Sequence, residues 1–214
     1  MTETLDLSAE LLLSAYAAGI FPMGSDTEPD TLYWVDPPMR GILPLDGLHV
    51  SKSLRKRIRR SEYELKVDHD FVGTMRDCAD RSETWINDVI VDAYADLHER
   101  GFAHSVETWK DGSRVGGLYG VSLGAGFFGE SMFSRATDAS KVALVWLVAR
   151  LRVGGYRLLD TQFTTEHLES LGALEIPRKD YKSHLSEAIG TAAKFHKLDS
   201  TTPADEILRL ATEP

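Results

Sequence analysis

One carboxylate stands alone in an otherwise apolar run at residues 129–134, Gly-Glu-Ser-Met-Phe-Ser. Burying a carboxylate is costly unless it meets a cation or hydrogen-bond donors. Glu130 is therefore either half of a structural ion pair or a receiver for a cationic substrate group. Strand alternation places Phe128, Glu130 and Met132 on one face and Phe127 and Phe133 on the other. A second polar pair, Asp160 and Gln162, closes the apolar stretch YRLLDTQ, and the same alternation puts both on one face. Hydrogen-bonding side chains at the C-terminal end of a strand are common at ligand sites, although a satisfied pair bracing a loop has the same look. The third constellation is basic. Lys52, Arg55, Lys56, Arg57, Arg59 and Arg60 put six bases in nine residues, a pattern suited to phosphates or to a solvated face balancing acidic neighbours. Trp34 and Trp85 lie in loop-like contexts, where an indole can stack on a nucleobase or pack between elements.

Several familiar chemistries lack their residues. GAGFFG at 124–129 has the G-x-G-x-x-G spacing, but it leads into a strand-like run and opens no helix for a pyrophosphate. No G-x-x-x-x-G-K-[ST], H-E-x-x-H or G-x-S-x-G occurs, and the seven histidines are scattered, so neither a metal site nor a cofactor is expected. RVGGLYG at 114–120 loosely resembles the pyrophosphate loop of CoA-dependent N-acyltransferases, where it joins a strand to a helix. Here the glycines fall within a strand pattern, which more often marks a bulge or a close backbone approach.

The elements that must position these groups follow from periodicity. Ser8 is a helix N-cap with Leu11, Leu12, Ala15 and Tyr16 on one face and Gly19 beyond its end. Residues 19–30 read as a loop. The aromatic and proline-rich stretch at 32–45 reads as extended chain or edge strand, because proline withholds a ladder donor. Ser51 caps a short basic helix, and residues 70–79 form another. Asn87 caps a third helix carrying Val89, Ile90, Ala93, Tyr94 and Leu97, with Gly101 as terminator. AHSVETW, Asp111-Gly112 and RVGGLYGVSL predict a β-hairpin, with FFGESMF as its third strand. A long buried helix then runs to Gly154 and Gly155, followed by the strand with Asp160 and Gln162. Helices are expected over 165–171 and 178–189, with a loosely held tail after about residue 190. The order helix, three strands, helix, strand, helix defines an α+β or mixed-sheet domain behind a smaller N-terminal unit.

The chain has 214 residues, long enough to bury roughly 70% of its unfolded surface without disulfide or metal. With 43% hydrophobic and 27% charged residues, it is neither disordered nor fibrous. Cys78 is the only cysteine, so no internal disulfide can form. The acidic opening MTETLDLSAELLL lacks a basic n-region, and no apolar run approaches membrane-spanning length, so a cytoplasmic location is expected. The net charge of −9 divides unevenly: −7 over residues 1–51, +6 over 52–60 and −8 over the remainder. That balance disfavours general coating of nucleic acid but leaves room for one local anion-binding patch.

Together these segments resemble the bacterial leucyl/phenylalanyl-tRNA–protein transferases. The resemblance is carried by AAGIFPMG at 17–24, YW and DPP within 33–38, LHVSKSLRK at 48–56, TWIND at 84–88, the HSVETW…VGGLYGV hairpin, GESMFSRATDASK at 129–141 and LLDTQ…HLESLGALEIPRKDY at 158–181. It covers roughly residues 10–185, with the motifs in order. The resemblance implies an aminoacyltransferase that moves Leu or Phe from leucyl-tRNA or phenylalanyl-tRNA to the α-amine of proteins beginning with Arg or Lys. That transfer marks them for degradation through the N-degron pathway, without metal or ATP. It implies a small N-terminal domain over 1–62 with the basic tRNA-binding segment, a GNAT-like catalytic domain over 63–214, and a monomer. By resemblance, Asp160 and Gln162 orient the attacking amine, and Glu130 meets the cationic peptide end. Leu118, Phe127 and Met132 line the pocket for the Leu or Phe side chain, with Ser134 also in the substrate-binding set. Trp34 and Trp85 hold the terminal adenosine, and residues 52–60 grip the acceptor stem. Tyr33, Leu118 and Thr161 depart from the family pattern, standing where a Trp, a Met and a Cys can occur. The competing reading is a GNAT-type CoA-dependent N-acyltransferase.

Overall fold

A computed structural model describes residues 7–24, 32–82 and 84–213. The chain runs through α1 (Ala9–Ala17), β1 (Phe21–Gly24), β2 (Leu32–Val35), β3 (Met39–Ile42), α2 (Lys52–Arg59) and β4 (Glu64–Val67). It continues through α3 (Phe71–Ala79), α4 (Asp88–Glu99), β5 (Ala103–Lys110), β6 (Ser113–Leu123), β7 (Gly126–Ser134) and α5 (Ala139–Gly154). It ends with β8 (Leu158–Gln162), α6 (Glu166–Glu169), β9 (Leu174–Pro177), α7 (Arg178–Ile189), a 3-10 turn (Phe195–Lys197) and α8 (Ala204–Thr212). Strands β1 and β2 form a separate ribbon, and the other seven form one mixed sheet in the order β4-β5-β6-β7-β8-β3-β9. Among the described residues, no helix is long and apolar enough to cross a membrane.

Helices cover both faces of the sheet, because its strands present apolar side chains alternately to each side. Val106, Leu118, Phe127 and Leu159 pack with α2, α5 and α8. Ala103, Tyr119, Val121, Phe128 and Leu158 pack with α1, α3, α4 and α7. The capping expectations hold: Ser8, Ser51 and Asn87 each accept a backbone N–H three residues on, and Asp70 caps α3 in the same way. Leu11 and Val89, expected on the apolar faces, are instead exposed.

Four expectations are corrected. Residues 21–24 are not loop but strand, paired with β2; residues 25–30 of the expected loop lie outside the described residues. The proline-rich stretch does not only skirt the edge: β3 sits inside the sheet, between β8 and β9. This is possible because Pro38 and Pro44 flank β3 and leave its four residues free to pair. The tail beyond residue 190 is docked, with Phe195, Ile207, Leu208 and Ala211 buried in the α5 core. Its apolar side chains are spaced for α8, a short helix hidden behind a polar linker.

The fourth correction concerns β7. The β6–β7 ladder slips between Tyr119↔Ser131 and Gly120↔Gly129, leaving Glu130 as the extra residue of a β-bulge. The bulge reverses the parity of everything after it. Met132 therefore joins Phe127's side of the sheet, and Phe133 joins Phe128's. The glycine at 120 makes room, since a Cβ there would lie 2.3 Å from the Phe128 carbonyl oxygen.

Residues before 62 are woven into this architecture. β3 fills a place in the seven-stranded sheet, and α2 buries Leu54 and Ile58 in the same core as α5.

Candidate active site

Among the described strands only β7 and β8 run parallel, joined by the α5 crossover. They pair from Gly126↔Leu158 to Phe128↔Asp160 and then part, while β7 continues to Ser134 and β8 to Gln162. A cleft of ≈ 230 Å³ opens there, lined by apolar Leu118, Met132, Leu144, Leu147, Leu159 and Leu168, with Glu130 and Arg81 also on its wall. Larger cavities of ≈ 390 and ≈ 610 Å³ lie elsewhere, away from Glu130, Asp160 and Gln162. The β7–β8 cleft combines apolar walls, the Glu130 carboxyl and unpaired polar groups, so it is the better site.

Glu130 enters this cleft because the bulge turns it out of the ladder. Its Oε1 accepts from Tyr16 Oη at 2.6 Å and from Gln162 Nε2 at 3.0 Å, and its Oε2 accepts from Tyr94 Oη at 3.3 Å. Tyr16 and Tyr94 are fully buried, and their hydroxyl oxygens lie 2.5 Å apart. Burial pushes the Glu130 carboxyl up to about 7; the hydrogen bonds from Tyr16, Gln162 and Tyr94 oppose this, and the Asp160 charge adds to it. Burial and the adjoining Glu130 charge also push the Tyr16 and Tyr94 hydroxyls well above the ordinary tyrosine range. These tyrosines are therefore donors to Glu130 and not bases.

Asp160 has a different setting. It is fully buried and receives Arg40 Nε at 3.0 Å, Arg40 Nη2 at 2.7 Å and Tyr181 Oη at 2.6 Å. Its Oδ1 also accepts the Gln162 backbone N–H at 2.7 Å. Burial works against the Arg40 charge, but the bonds to Asp160 outweigh it and hold the guanidinium protonated. Arg40 is further clasped between the rings of Phe21 and Tyr181. The carboxylate is thus saturated, and what it controls is Gln162, which sits at φ +62°. A left-handed non-glycine residue is strained unless its surroundings hold it, and such residues gather at functional sites. With Gln162 Nε2 committed to Glu130, its Oε1 is left as an acceptor.

Two further groups point to a ligand. The hydroxyls of Tyr119 and Thr161 are buried without a hydrogen-bond partner among the described residues, and both residues line the cleft. Unpaired buried hydroxyls cost about 1–3 kcal/mol each and call for an explanation.

The remaining expected site residues are spread around this centre. Phe127 does not line the cleft but lies behind it, fully buried and stacked on Phe195. Ser134 ends β7, donates to the Ala136 carbonyl and accepts the Ser140 N–H, bracing the turn into α5. Trp34 is 39% exposed on β2 opposite Pro22, and the half-buried Trp85 packs its backbone against Gly24 of β1. Of the basic run, Arg57 pairs with Glu62 and Asp138, Arg59 with Asp205, and Arg60 with Glu62. Arg55 donates to the Val50 carbonyl and Thr212 Oγ1. Lys52 and Lys56 are exposed and unpaired among the described residues. Arg40, Tyr16, Tyr94 and Tyr181 escaped the sequence reading. Arg40 carried one signal: it is the only base in the first 51 residues.

Competing templates find no support in the geometry. Gly116 and Gly117 lie within β6, where the absent Cβ of Gly116 lets Ala139 of α5 approach, and they open no helix toward a phosphate. GAGFFG forms the β6–β7 turn and the start of β7.

An apolar cleft between splayed parallel strands, with a bonded carboxylate and an oriented amide but no poised nucleophile among the described residues, suits direct group transfer between two bound substrates. The comparisons make this class specific. Residues 42–186 match the family model for leucyl/phenylalanyl-tRNA protein transferase, and residues 5–38 match the model for its N-terminal domain. The chain is 54% identical over 204 residues to the leucyl/phenylalanyl-tRNA–protein transferase of Ruegeria sp. strain TM1040, covering 95% of this chain and 96% of that one. It is 57% identical over 195 residues to the enzyme of that name from Paramagnetospirillum magneticum, covering 89% and 93%. With that of Maricaulis maris it shares 53% identity over 209 residues, covering 96% and 97%. The chain belongs to the leucyl/phenylalanyl-tRNA protein transferase family and is an aminoacyltransferase.

Proposed function

We propose that this enzyme moves Leu or Phe from leucyl-tRNA or phenylalanyl-tRNA to the N-terminal α-amine of proteins beginning with Arg or Lys, marking them for degradation. The reading includes a GNAT-like catalytic domain acting as a cytoplasmic monomer. The observation that carries it is the Glu130 carboxylate, held by Tyr16, Tyr94 and Gln162 on the wall of an apolar cleft. The cleft takes the Leu or Phe side chain against Leu118 and Met132, while the carboxylate faces the cation of the acceptor peptide. Trp34 and Trp85, beside the β1–β2 ribbon, offer rings for the terminal adenosine.

The reaction needs little from the protein beyond positioning, because an aminoacyl ester is already activated. The neutral amine attacks the ester carbonyl; the new C–N bond forms as the bond to the ribose oxygen breaks, and the amine's proton leaves with the ribose hydroxyl. Gln162 Oε1 accepts an N–H of the attacking amine and aims its lone pair. Asp160 acts through Gln162, as a positioning residue anchored by Arg40. Of the basic helix, Lys52, Arg55 and Lys56 are the cations free to meet acceptor-stem phosphates, since acidic neighbours neutralise Arg57, Arg59 and Arg60.

The test is transfer of radiolabelled Leu from leucyl-tRNA to a peptide beginning with Arg, beside the same peptide beginning with Asp. Label on the Arg peptide alone is expected. Label on the Asp peptide overturns the role of Glu130, and label on neither overturns the function. Lys52→Glu with Lys56→Glu should raise KM for leucyl-tRNA and flatten its salt dependence, leaving kcat nearly unchanged.

A further inference from the structure

Three metal-ligating side chains from distant parts of the chain converge outside the β7–β8 cleft. Asp68 follows β4, His104 lies near the start of β5, and His196 is in the 3-10 turn after α7. His104 Nδ1 lies 2.8 Å from Asp68 Oδ2, His196 Nε2 lies 3.2 Å from the same oxygen, and one ligand atom from each residue falls within 4.8 Å of the others. We propose that Asp68, His104 and His196 bind a divalent transition-metal ion of the zinc or cobalt kind, which fastens the C-terminal segment to the sheet.

The donor set and its preparation support this. Two imidazole nitrogens with one carboxylate oxygen suit zinc and its neighbours; magnesium and calcium favour oxygen throughout. A tetrahedral ion with bonds of about 2.0–2.2 Å places its ligand atoms roughly 3.3–3.5 Å apart; the His196–Asp68 separation of 3.2 Å is close to this, and the hydrogen-bonded His104–Asp68 pair at 2.8 Å must open by about half an ångström. The third closes by rotation of His196, whose side chain is 63% exposed. Two ligands are already fixed. Asp68 is held at φ +54°, its Oδ1 taken by the Ser105 N–H at 2.7 Å, so that Oδ2 is the oxygen left facing both rings. His104 is buried and stacked on Phe195 at 4.0 Å. The exposed side of His196 leaves a fourth position for water. One cation, Arg150, lies near, but its guanidinium donates to the carbonyls of Phe195 and Leu198 and so secures the same turn.

The consequence is mechanical. The turn at 195–197 leads into α8, which packs on α5 and reaches α2 through Asp205–Arg59 and Thr212–Arg55. An ion here tightens the segment that buttresses the basic helix.

The test uses the full chain after chelator treatment, with Zn²⁺ or Co²⁺ added. One ion per chain by elemental analysis is expected, with visible d–d absorption from Co²⁺. Tm should rise by about 5–10 °C when free metal stands a hundredfold above Kd. His196→Ala, at an exposed position that does not threaten folding, should weaken binding at least tenfold, and Mg²⁺ should not raise Tm. No Tm rise and no Co²⁺ spectrum in the wild type would overturn the site. Equal binding by His196→Ala, or an equal response to Mg²⁺, would do the same.

Discussion

Glu130→Gln isolates what the cleft does to its carboxyl group. Holding a carboxyl that ordinarily ionises near 4.5 at about 7 corresponds to about 3 kcal/mol against the ionised form. The open side of the cleft screens part of this, leaving ~2 kcal/mol. Between pH 4.5 and 7 the folded chain binds this proton and the unfolded chain does not, so wild-type stability falls as pH rises through that window and levels off above it. Glutamine keeps the shape and cannot ionise. At pH 4, below both values, the two proteins should unfold together. At pH 8 the variant should be more stable by ~2 kcal/mol, about 4–8 °C in Tm for a chain of this size. Thermal unfolding at half-unit steps from pH 4 to 9 reads this directly. The same variant should lose at least tenfold in kcat/KM for a peptide beginning with Arg, because the receiving charge is gone. Parallel stability profiles across the whole range would refute the argument, since Glu130 would then ionise as an ordinary exposed glutamate.

Two further expectations follow from burial. Arg40→Met leaves Asp160 buried without its cation and should cost about 3–5 kcal/mol, with kcat reduced more than KM because Gln162 loses its anchor. Adding Asp160→Asn should recover part of the stability in chemical denaturation, and no recovery would mean that the pair is not the cause. Ile207→Ala on α8 should lower stability by about 2–4 kcal/mol by urea unfolding, because that side chain is fully buried; a change below ~0.5 kcal/mol would mean the helix is not part of the core.

Local signals made much of this structure readable. Ser8, Ser51 and Asn87 cap the helices they were expected to cap, because capping depends on one side chain and a backbone N–H three residues away. Asp111-Gly112 turns its hairpin for the same local reason. What was hidden depends on distant partners. Glu130 was legible as an anomalous carboxylate, but the bulge at that residue moves Met132 to the opposite face, and bulges leave no alternation signal. Asp160 was legible as chemistry-bearing, whereas its partner Arg40 stands 120 positions earlier. The basic run was unmistakable, yet Asp138 and Asp205, which neutralise part of it, are remote in sequence. Tyr16 and Tyr94 occupy apolar helix faces, and periodicity cannot tell a core ring from one whose hydroxyl serves a site.

The place of β3 between β8 and β9 also sets an order of assembly. The strand leaves the ribosome early, but its neighbours are made more than a hundred residues later. Until β8 emerges, Arg40 has no carboxylate to meet, and Gln162 does not exist to be oriented. Pairings across such separations close slowly, because chain entropy must be lost before the contacts reward it. Synthesis therefore makes the tyrosine side of the site first and its amide last. A chain halted before residue 160 holds Tyr16, Tyr94 and Glu130 but cannot complete the constellation, so competence for transfer should appear only near the end of translation.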